Sequence, residues 1–217
     1  MKNFTLMILC AGFGSRMLNL TRSTPKPLLK YKNKVLLKNT IDFFINIGCD
    51  EILINTHYLH HKIKKYLDKN FKKYPIQIIY EKKILGTGGG VKNIFNHTKR
   101  NKICVVNSDI FWTKKNKSHI QYFLGNYREV SHCKMLLSKD INFLGLKKEK
   151  GDFNLKRNVV TNWKSKNEKL YYSGLQIVSK NIFNNRKKIF PMNEIWKKLI
   201  KKNQITGYVI PSKIRHI

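Results

Sequence analysis

The sequence predicts an α/β fold in which a mainly parallel sheet is covered by helices on both faces. Two observations carry that expectation. Short apolar runs alternate with amphipathic helical stretches through the first half of the chain, and the polar, chemically useful clusters all fall just after those runs. Alternation of this kind returns each strand to one sheet through right-handed crossovers, which makes neighbouring strands parallel.

Taken in order, Phe4–Leu9 is an unbroken apolar run that reads as a buried strand. Lys34–Ile47 follows as a helix, and Gly48 stands where a left-handed cap stops one. Glu51–Asn55 is the second strand, Leu59–Phe71 the second helix and Ile76–Tyr80 the third strand. Gly90–His97 has a helical pattern, and Lys102–Asn107 is the fourth strand. After residue 126 the pattern changes. Lys134–Leu137, Asn142–Leu146, Phe153–Lys156 and Leu170–Val178 read as shorter strands between polar turns. A last helix, Met192–Lys202, leads into a strand at Thr206–Ile210. The second half therefore predicts a smaller antiparallel extension. With no internal repeat and no low-complexity linker, the 217 residues fit a single domain with ample core.

Composition narrows the class. The formal charge is +32, from 44 Lys and Arg against 12 Asp and Glu, an excess that raises nucleic acid as a partner. The charge is spread along the chain as lysine among asparagine and isoleucine. No zinc-finger spacing, basic heptad helix or aromatic RNP pattern accompanies it, so nucleic acid ranks well below nucleotides, which a diffuse positive field also gathers. The four cysteines are widely separated and form no Cys-x-x-Cys. That excludes the usual zinc and disulfide frameworks and suits a reducing cytoplasm. The apolar stretch before Cys10 is too short for a secretion signal, and no run reaches the length of a membrane span.

The most informative stretch follows the first strand. Gly12 and Gly14 bracket one residue, Arg16 follows, and Lys26 is held between Pro25 and Pro27. A strand emptying into a glycine turn brings bare backbone N–H groups to one point, as phosphate sites do, and Arg16 and Lys26 add fixed positive charge. A nucleoside polyphosphate is the expected ligand. A dinucleotide fingerprint would need a third glycine where Met17 stands. A Walker A loop would need Gly-Lys-Ser/Thr, which neither this turn nor Gly86-Thr87-Gly88-Gly89-Gly90 supplies.

Further clusters fall at the same sheet edge, where open α/β sheets bind ligands. Asp109 directly follows the apolar strand and is the candidate ligand for a hard cation. Such a cation takes one or two protein carboxylates and fills its shell with water and phosphate oxygens. Gly86, Thr87 and Gly88 open a glycine cluster before a helix, a second element for phosphate or base. Glu81, after the third strand, either touches the nucleotide or pairs with a lysine. His57 and His61 are helically spaced but lack a third ligand.

Gly12-Phe13-Gly14-Ser15-Arg16-Met17, Leu20-Thr21 and Thr24-Pro25-Lys26-Pro27-Leu28-Leu29 together resemble the signature of the sugar-1-phosphate nucleotidylyltransferases. Gly151-Asp152-Phe153 and Tyr172-Ser173-Gly174-Leu175-Gln176 look most like the N-acetylmuramate α-1-phosphate uridylyltransferases, with the mannose-1-phosphate guanylyltransferases next. The resemblance implies a Rossmann-like three-layer α/β/α nucleotidyltransferase fold whose antiparallel extension forms the sugar side of a cleft. It implies transfer of a nucleoside monophosphate from UTP, or alternatively GTP, to a sugar 1-phosphate, with Mg2+ as cofactor and a role in cell-wall sugar metabolism. Arg16, Lys26 and Asp109 would be catalytic, with the metal on Asp109. Leu9, Ala11, Gly12, Gly14, Ser15, Arg16, Lys26, Glu81, Gly86, Thr87 and Gly88 would bind the nucleotide. Asn107, Asp152, Ser173 and Gly174 would lie at the sugar phosphate.

The chain departs from the family pattern in two places. Ser108 stands where the family's Asn-Gly-Asp has glycine. The chain also ends before the family's Trp-x-Asp segment, whose aspartate is a second metal ligand. The expectation is thus one domain, residues 1–217, without the usual C-terminal tail. A nucleotide-binding homologue with impaired catalysis is the alternative.

Overall fold

The computed structural model describes residues 3–125, 127–146, 148–165 and 167–217, with the side chains of Arg16 and Leu18 outside the described set. The strands are β1 (Phe4–Cys10), β2 (Cys49–Thr56), β3 (Ile76–Tyr80), β4 (Lys102–Asn107), β5 (Cys133–Lys139), β6 (Phe153–Lys156), β7 (Val159–Asn162), β8 (Leu170–Ser179) and β9 (Ile205–Ile210). The main helices are α1 (Leu36–Ile45), α2 (His60–Asn70), α3 (Gly86–Ile94), α4 (Lys117–Leu124) and α5 (Met192–Lys201).

Among the described residues the nine strands form one sheet in the order β6-β7-β9-β5-β8-β4-β1-β2-β3. β1 runs parallel to both β2 and β4, and β2 parallel to β3. The alternating first half thus makes a 3-2-1-4 sheet whose order reverses between β1 and β4, and that reversal opens a crevice at the strands' carboxyl ends. The predicted antiparallel half exists, but as a continuation of the same sheet. β8 pairs antiparallel with β4 and β5, whereas β9 runs parallel to β5.

Burial on both faces explains why the central strands read as apolar runs. Successive side chains point to opposite faces. Leu6, Ile8, Cys104 and Val106 enter one core with Leu37, Ile41 and Phe44 of α1, Ile63 of α2 and Phe123 of α4. Met7, Ile103 and Val105 enter the other with Val91 and Ile94 of α3 and Ile195 and Leu199 of α5. Among the described residues no helix is long and apolar enough to cross a membrane.

Several expected elements change. The strand expected at Asn142–Leu146 shrinks to Phe143–Leu144, and the helix expected at Gly90–His97 starts four residues earlier, at Gly86. A small three-stranded sheet joins Phe143–Leu144 and Ile110–Phe111 to the last strand, β10 (Ile214–His216). It ties the chain end to the crevice.

Candidate active site

β1 ends at Cys10, and the chain enters the glycine turn at the β1–β4 crevice. A Cβ at Gly12 would meet nothing within 4 Å, because that position faces open space. Gly14 has φ +68, and a Cβ there would lie 2.9 Å from Thr21 Cγ2. Only glycine adopts this conformation without strain. Thr21, buried beneath the turn, donates its hydroxyl to the carbonyls of Gly14 and Met17 (3.1 Å each). Tyr58 reaches from the β2–α2 connection to donate to the carbonyls of Thr21 (3.2 Å) and Arg22 (2.9 Å), and Lys62 bonds the Ser23 carbonyl. The segment is therefore strapped down before Pro25 and Pro27, with their fixed φ, set a single 3-10 turn over Lys26–Leu28.

That turn delivers Lys26 to Asp109, with Nζ 2.9 Å from Oδ2. His216 approaches the same oxygen from β10, its Nε2 at 3.2 Å. Pairing of His216 with Ile110 and the Ile217 N–H bond to the Asp109 carbonyl (2.9 Å) fix that approach. Burial alone pushes the Asp109 carboxyl up, but hydrogen bonding and charge from His216, with Lys26 adding to them, outweigh it and hold it at about 2. Asp109 is thus an anion across the ordinary pH range. Its Oδ1 is buried and has no hydrogen-bond partner among the described residues.

A buried, orphaned oxygen on a largely withdrawn, ionised carboxylate at the edge of the crevice fits a divalent cation. Among the described residues no three His, Cys, Asp or Glu side chains gather into a metal cage. The fit is therefore to a cation that draws most of its shell from substrate and water.

Most residues expected at the nucleotide converge. Leu9, Ala11, Gly12, Gly14, Ser15, Lys26, Glu81, Gly86, Thr87, Asn107 and Asp109 line one cavity of about 390 Å³. The Arg16 side chain, also expected there, lies outside the described residues. Glu81 lines this cavity but forms no ion pair with a lysine among the described residues. It is buried, accepting from Asn55 Nδ2 (2.8 Å) and from the Leu85 N–H (3.1 Å), and Asn55 Oδ1 accepts the Cys10 N–H (3.1 Å). The pair joins the glycine turn to the start of α3.

Gly88 departs from expectation. It is buried, does not line the cavity, and donates its N–H to the Phe190 carbonyl (3.0 Å), as Gly89 also does. The glycines of α3 admit the 188–190 segment, since a Cβ at Gly88 would lie 2.3 Å from the Phe190 ring. Thr87 spends its hydroxyl oxygen on the Met192 N–H (2.9 Å) at the start of α5.

A second cavity of about 520 Å³ adjoins the first and shares Asn107 with it. Asp152 and Gly174 line it. Asp152 accepts from the Tyr172 N–H (3.1 Å) and pairs with Lys148 (2.6 Å). Ser173 is not in the wall. Its buried hydroxyl donates to the Leu136 carbonyl (2.7 Å), inside a register shift of β8 between Tyr172 and Gln176. Gly174, with φ +81, lets that bulge press against Asn107. Trp196 and Tyr172, ring centroids 4.9 Å apart, give this cavity an aromatic wall.

His57 instead holds the Glu81 carbonyl through Nδ1 (2.7 Å) and packs edge-on against Phe13. Sequence reasoning missed His216, Thr21 as an anchor and Asn55 as a link, and only their position at strand ends or beside glycine could have marked them.

A model described as nucleotidyl transferase matches residues 5–135 of the chain. D-glycero-alpha-D-manno-heptose 1-phosphate guanylyltransferase of Campylobacter jejuni is 31% identical over 106 residues, 49% of this chain and 48% of that protein. N-acetylmuramate alpha-1-phosphate uridylyltransferase of Caulobacter vibrioides is 29% identical over 110 residues, 49% of this chain and 46% of that protein. The matched chain thus spans about half the length of these curated relatives. The crystal structure of HddC from Yersinia pseudotuberculosis superposes with a TM-score of 0.77 at 20% identity, covering 99% of this chain and 94% of that one. The same protein has also been solved complexed with GMP-PN, at a TM-score of 0.76, 20% identity and coverage of 99% and 93%. These likenesses establish the Rossmann-like α/β fold.

Proposed function

The chain belongs to the nucleotidyl transferase family, and we propose that it transfers a nucleoside monophosphate from a nucleoside triphosphate to a sugar 1-phosphate, releasing pyrophosphate. One observation carries this reading. Lys26 and Asp109 meet at 2.9 Å where the glycine-turn cavity adjoins the aromatic-walled one. The triphosphate lies on the glycine turn, with Leu9, Ala11 and Ser15 beside it and Glu81, Gly86 and Thr87 at the base end. The sugar lies against Trp196 and Tyr172, whose faces suit the apolar side of a pyranose ring, with Asn107, Asp152 and Gly174 around it. UTP and GTP are the proposed donors. The later sequence motifs favour UTP, as does the similarity to a uridylyltransferase, whereas the similarity to guanylyltransferases favours GTP.

The chemistry asks little of a general base. A sugar-1-phosphate oxygen is already anionic near neutral pH and attacks the α-phosphorus in line, breaking its bond to the pyrophosphate oxygen. The barrier lies in bringing two polyanions together and stabilising charge on the phosphoryl oxygens. Lys26, steered by its flanking prolines, supplies positive charge at the junction, and the Gly12–Gly14 turn lets backbone N–H groups approach the phosphates. Arg16 is proposed to add charge on the triphosphate side. Asp109 would hold a divalent cation, for which the sequence expectation is Mg2+; when bound it neutralises phosphate charge. We further propose that residues 1–217 act as one nucleotidyltransferase domain, and its four unpaired thiols suit a reducing cytoplasm.

Pyrophosphate release, screened over UTP and GTP against a set of sugar 1-phosphates, tests the reading. Asp109→Asn should lower the metal-dependent rate by on the order of 10²-fold or more with the fold retained. Unchanged turnover in that variant would refute the role given to Asp109.

A further inference from the structure

Helix α5 begins beside the nucleotide cavity and runs along the neighbouring one. Thr87, in the wall of the first cavity, accepts the Met192 N–H (2.9 Å) and so fixes where the helix starts. From there Asn193, Trp196, Lys197 and Ile200 follow at the spacing of one helical face, and all four line the second cavity. Met192, Ile195 and Leu199 turn another face into the core. At 1.5 Å per residue, Lys197 lies about 7.5 Å along the axis from Met192, roughly a sugar ring further from the nucleotide.

Trp196 is fixed in that wall. Its Nε1 donates to Gln176 Oε1 (2.9 Å), and its ring meets those of Tyr172 and Phe153 edge-on, at 4.9 and 5.9 Å between centroids. Lys197 beside it is exposed, so its ammonium stands at the cavity mouth.

The charges in the wall do not cancel. Asp152 is the one carboxylate among the described lining residues, and both its oxygens are spent. Lys148 Nζ approaches them at 2.6 and 2.8 Å, and the Tyr172 N–H adds a bond to Oδ2 (3.1 Å). No ion pair among the described residues involves Lys197. Two further lysines of α5, Lys198 and Lys201, do not line the cavity. Lys197 is thus a cation without a counter-charge, next to an aromatic surface that a sugar ring can cover. A ring seated there displaces water from the mouth, which strengthens any ion pair made by the lysine.

Resting on the nucleotidyl-transfer reading, we propose that Lys197 makes the second cavity selective for an acidic acceptor. That acceptor is a sugar 1-phosphate with a further carboxylate or phosphate on the side of its ring away from the anomeric phosphate. Lys197 forms a charge-assisted hydrogen bond to the added group, and Trp196 holds the ring between the two anionic ends.

Matched acceptors isolate the added group. Glucose and mannose 1-phosphates are compared with the corresponding uronic acid 1-phosphates and 1,6-bisphosphates. Pyrophosphate release and calorimetric titration of each acceptor into the intact chain give the two readouts. At least one acidic form is expected to exceed its neutral parent by about fivefold in kcat/KM and in affinity, and the two acidic arms tell carboxylate from phosphate. Lys197→Met should collapse that ratio, and Lys197→Glu should invert it. Lys198→Met removes the same charge one residue off the cavity and should keep the wild-type ratio. Equal use of acidic and neutral acceptors by the wild type overturns the proposal. So does an equal loss of preference in Lys197→Met and Lys198→Met, which would mark a general effect of the chain's charge. The wild-type comparison decides even where a variant fails to fold. Pyrophosphate release without an acidic preference defeats the Lys197 assignment alone, whereas a Lys197-dependent affinity ratio without nucleotidyl transfer defeats the functional reading alone.

Discussion

Gly12 and Gly14 are two residues apart and are glycine for different reasons. At Gly12 a methyl group would enter open space in the cavity, whereas at Gly14 it would strike Thr21 on a backbone already at φ +68. Gly12→Ala is therefore expected to change stability by no more than about 0.5 kcal/mol while weakening nucleotide binding. Gly14→Ala should cost roughly 1–2 kcal/mol of stability as well as affinity. Chemical denaturation beside nucleotide titration calorimetry separates the two, and equal stability losses would contradict the distinction. Thr21→Val removes the hydroxyl that holds the turn, and about 1 kcal/mol of destabilisation is expected, read as a lower denaturation midpoint. The turn, Pro25-Lys26-Pro27 and Asp109 were legible in the sequence because each is a local pattern with a local physical consequence. His216 was not, since its meeting with Asp109 depends on a three-residue strand pairing across 106 positions of sequence.

Helix α3 shows how tertiary contact overrides local preference. Glycine is disfavoured in helices by about 1 kcal/mol relative to alanine, so periodicity placed the start at Gly90. The structure starts it at Gly86, because the 188–190 segment lies against the first turn and accepts the N–H groups of Gly88 and Gly89 (3.0 Å each). A Cβ at Gly89 would stand 2.3 Å from the Lys188 carbonyl oxygen. Gly89→Ala is expected to destabilise by roughly 1–3 kcal/mol through overpacking, seen as a fall in melting temperature. A wild-type melting temperature would contradict the packing role. The glycine cluster was visible in the sequence, but its purpose was not. Glycines that admit a ligand and glycines that admit another stretch of the same chain look alike until the fold is known. β7 and the two-residue strand Ile110–Phe111 escaped notice because such short segments carry too little periodicity.

Across the whole molecule, the alternating first half of the sequence announced a mainly parallel sheet, and its polar strand ends converge on one crevice, as the observed 3-2-1-4 order requires. The second half was recognisable as strands, but its continuity with the central sheet depends on β8 pairing back onto β4, a long-range contact with no local signature. The two faces of that sheet also enclose the thiols. Burial pushes Cys10 and Cys49 up to about 12 from an ordinary 9.0, and Cys104 and Cys133 are raised by the same cause. Because the folded thiols hold their protons more tightly than the unfolded chain, their contribution is fully present below pH 9.0 and is lost as pH rises toward 12. Melting temperature should accordingly fall from pH 8.5 to 10.5, about the range in which unfolded thiols ionise. A thiol reagent should find Cys10, Cys104 and Cys133 protected in the native protein and all four cysteines reactive in denaturant. The account's central claim is that one crevice joins a nucleotide to a sugar 1-phosphate. It is tested most directly by ³¹P NMR of the chain mixed with UTP or GTP, a sugar 1-phosphate, and Mn2+ or Mg2+. The account predicts an NDP-sugar and pyrophosphate appearing in equal amounts, strongly reduced in Lys26→Ala. Unchanged triphosphate with every sugar 1-phosphate and both cations, or an NDP-sugar yield untouched by Lys26→Ala, would contradict it.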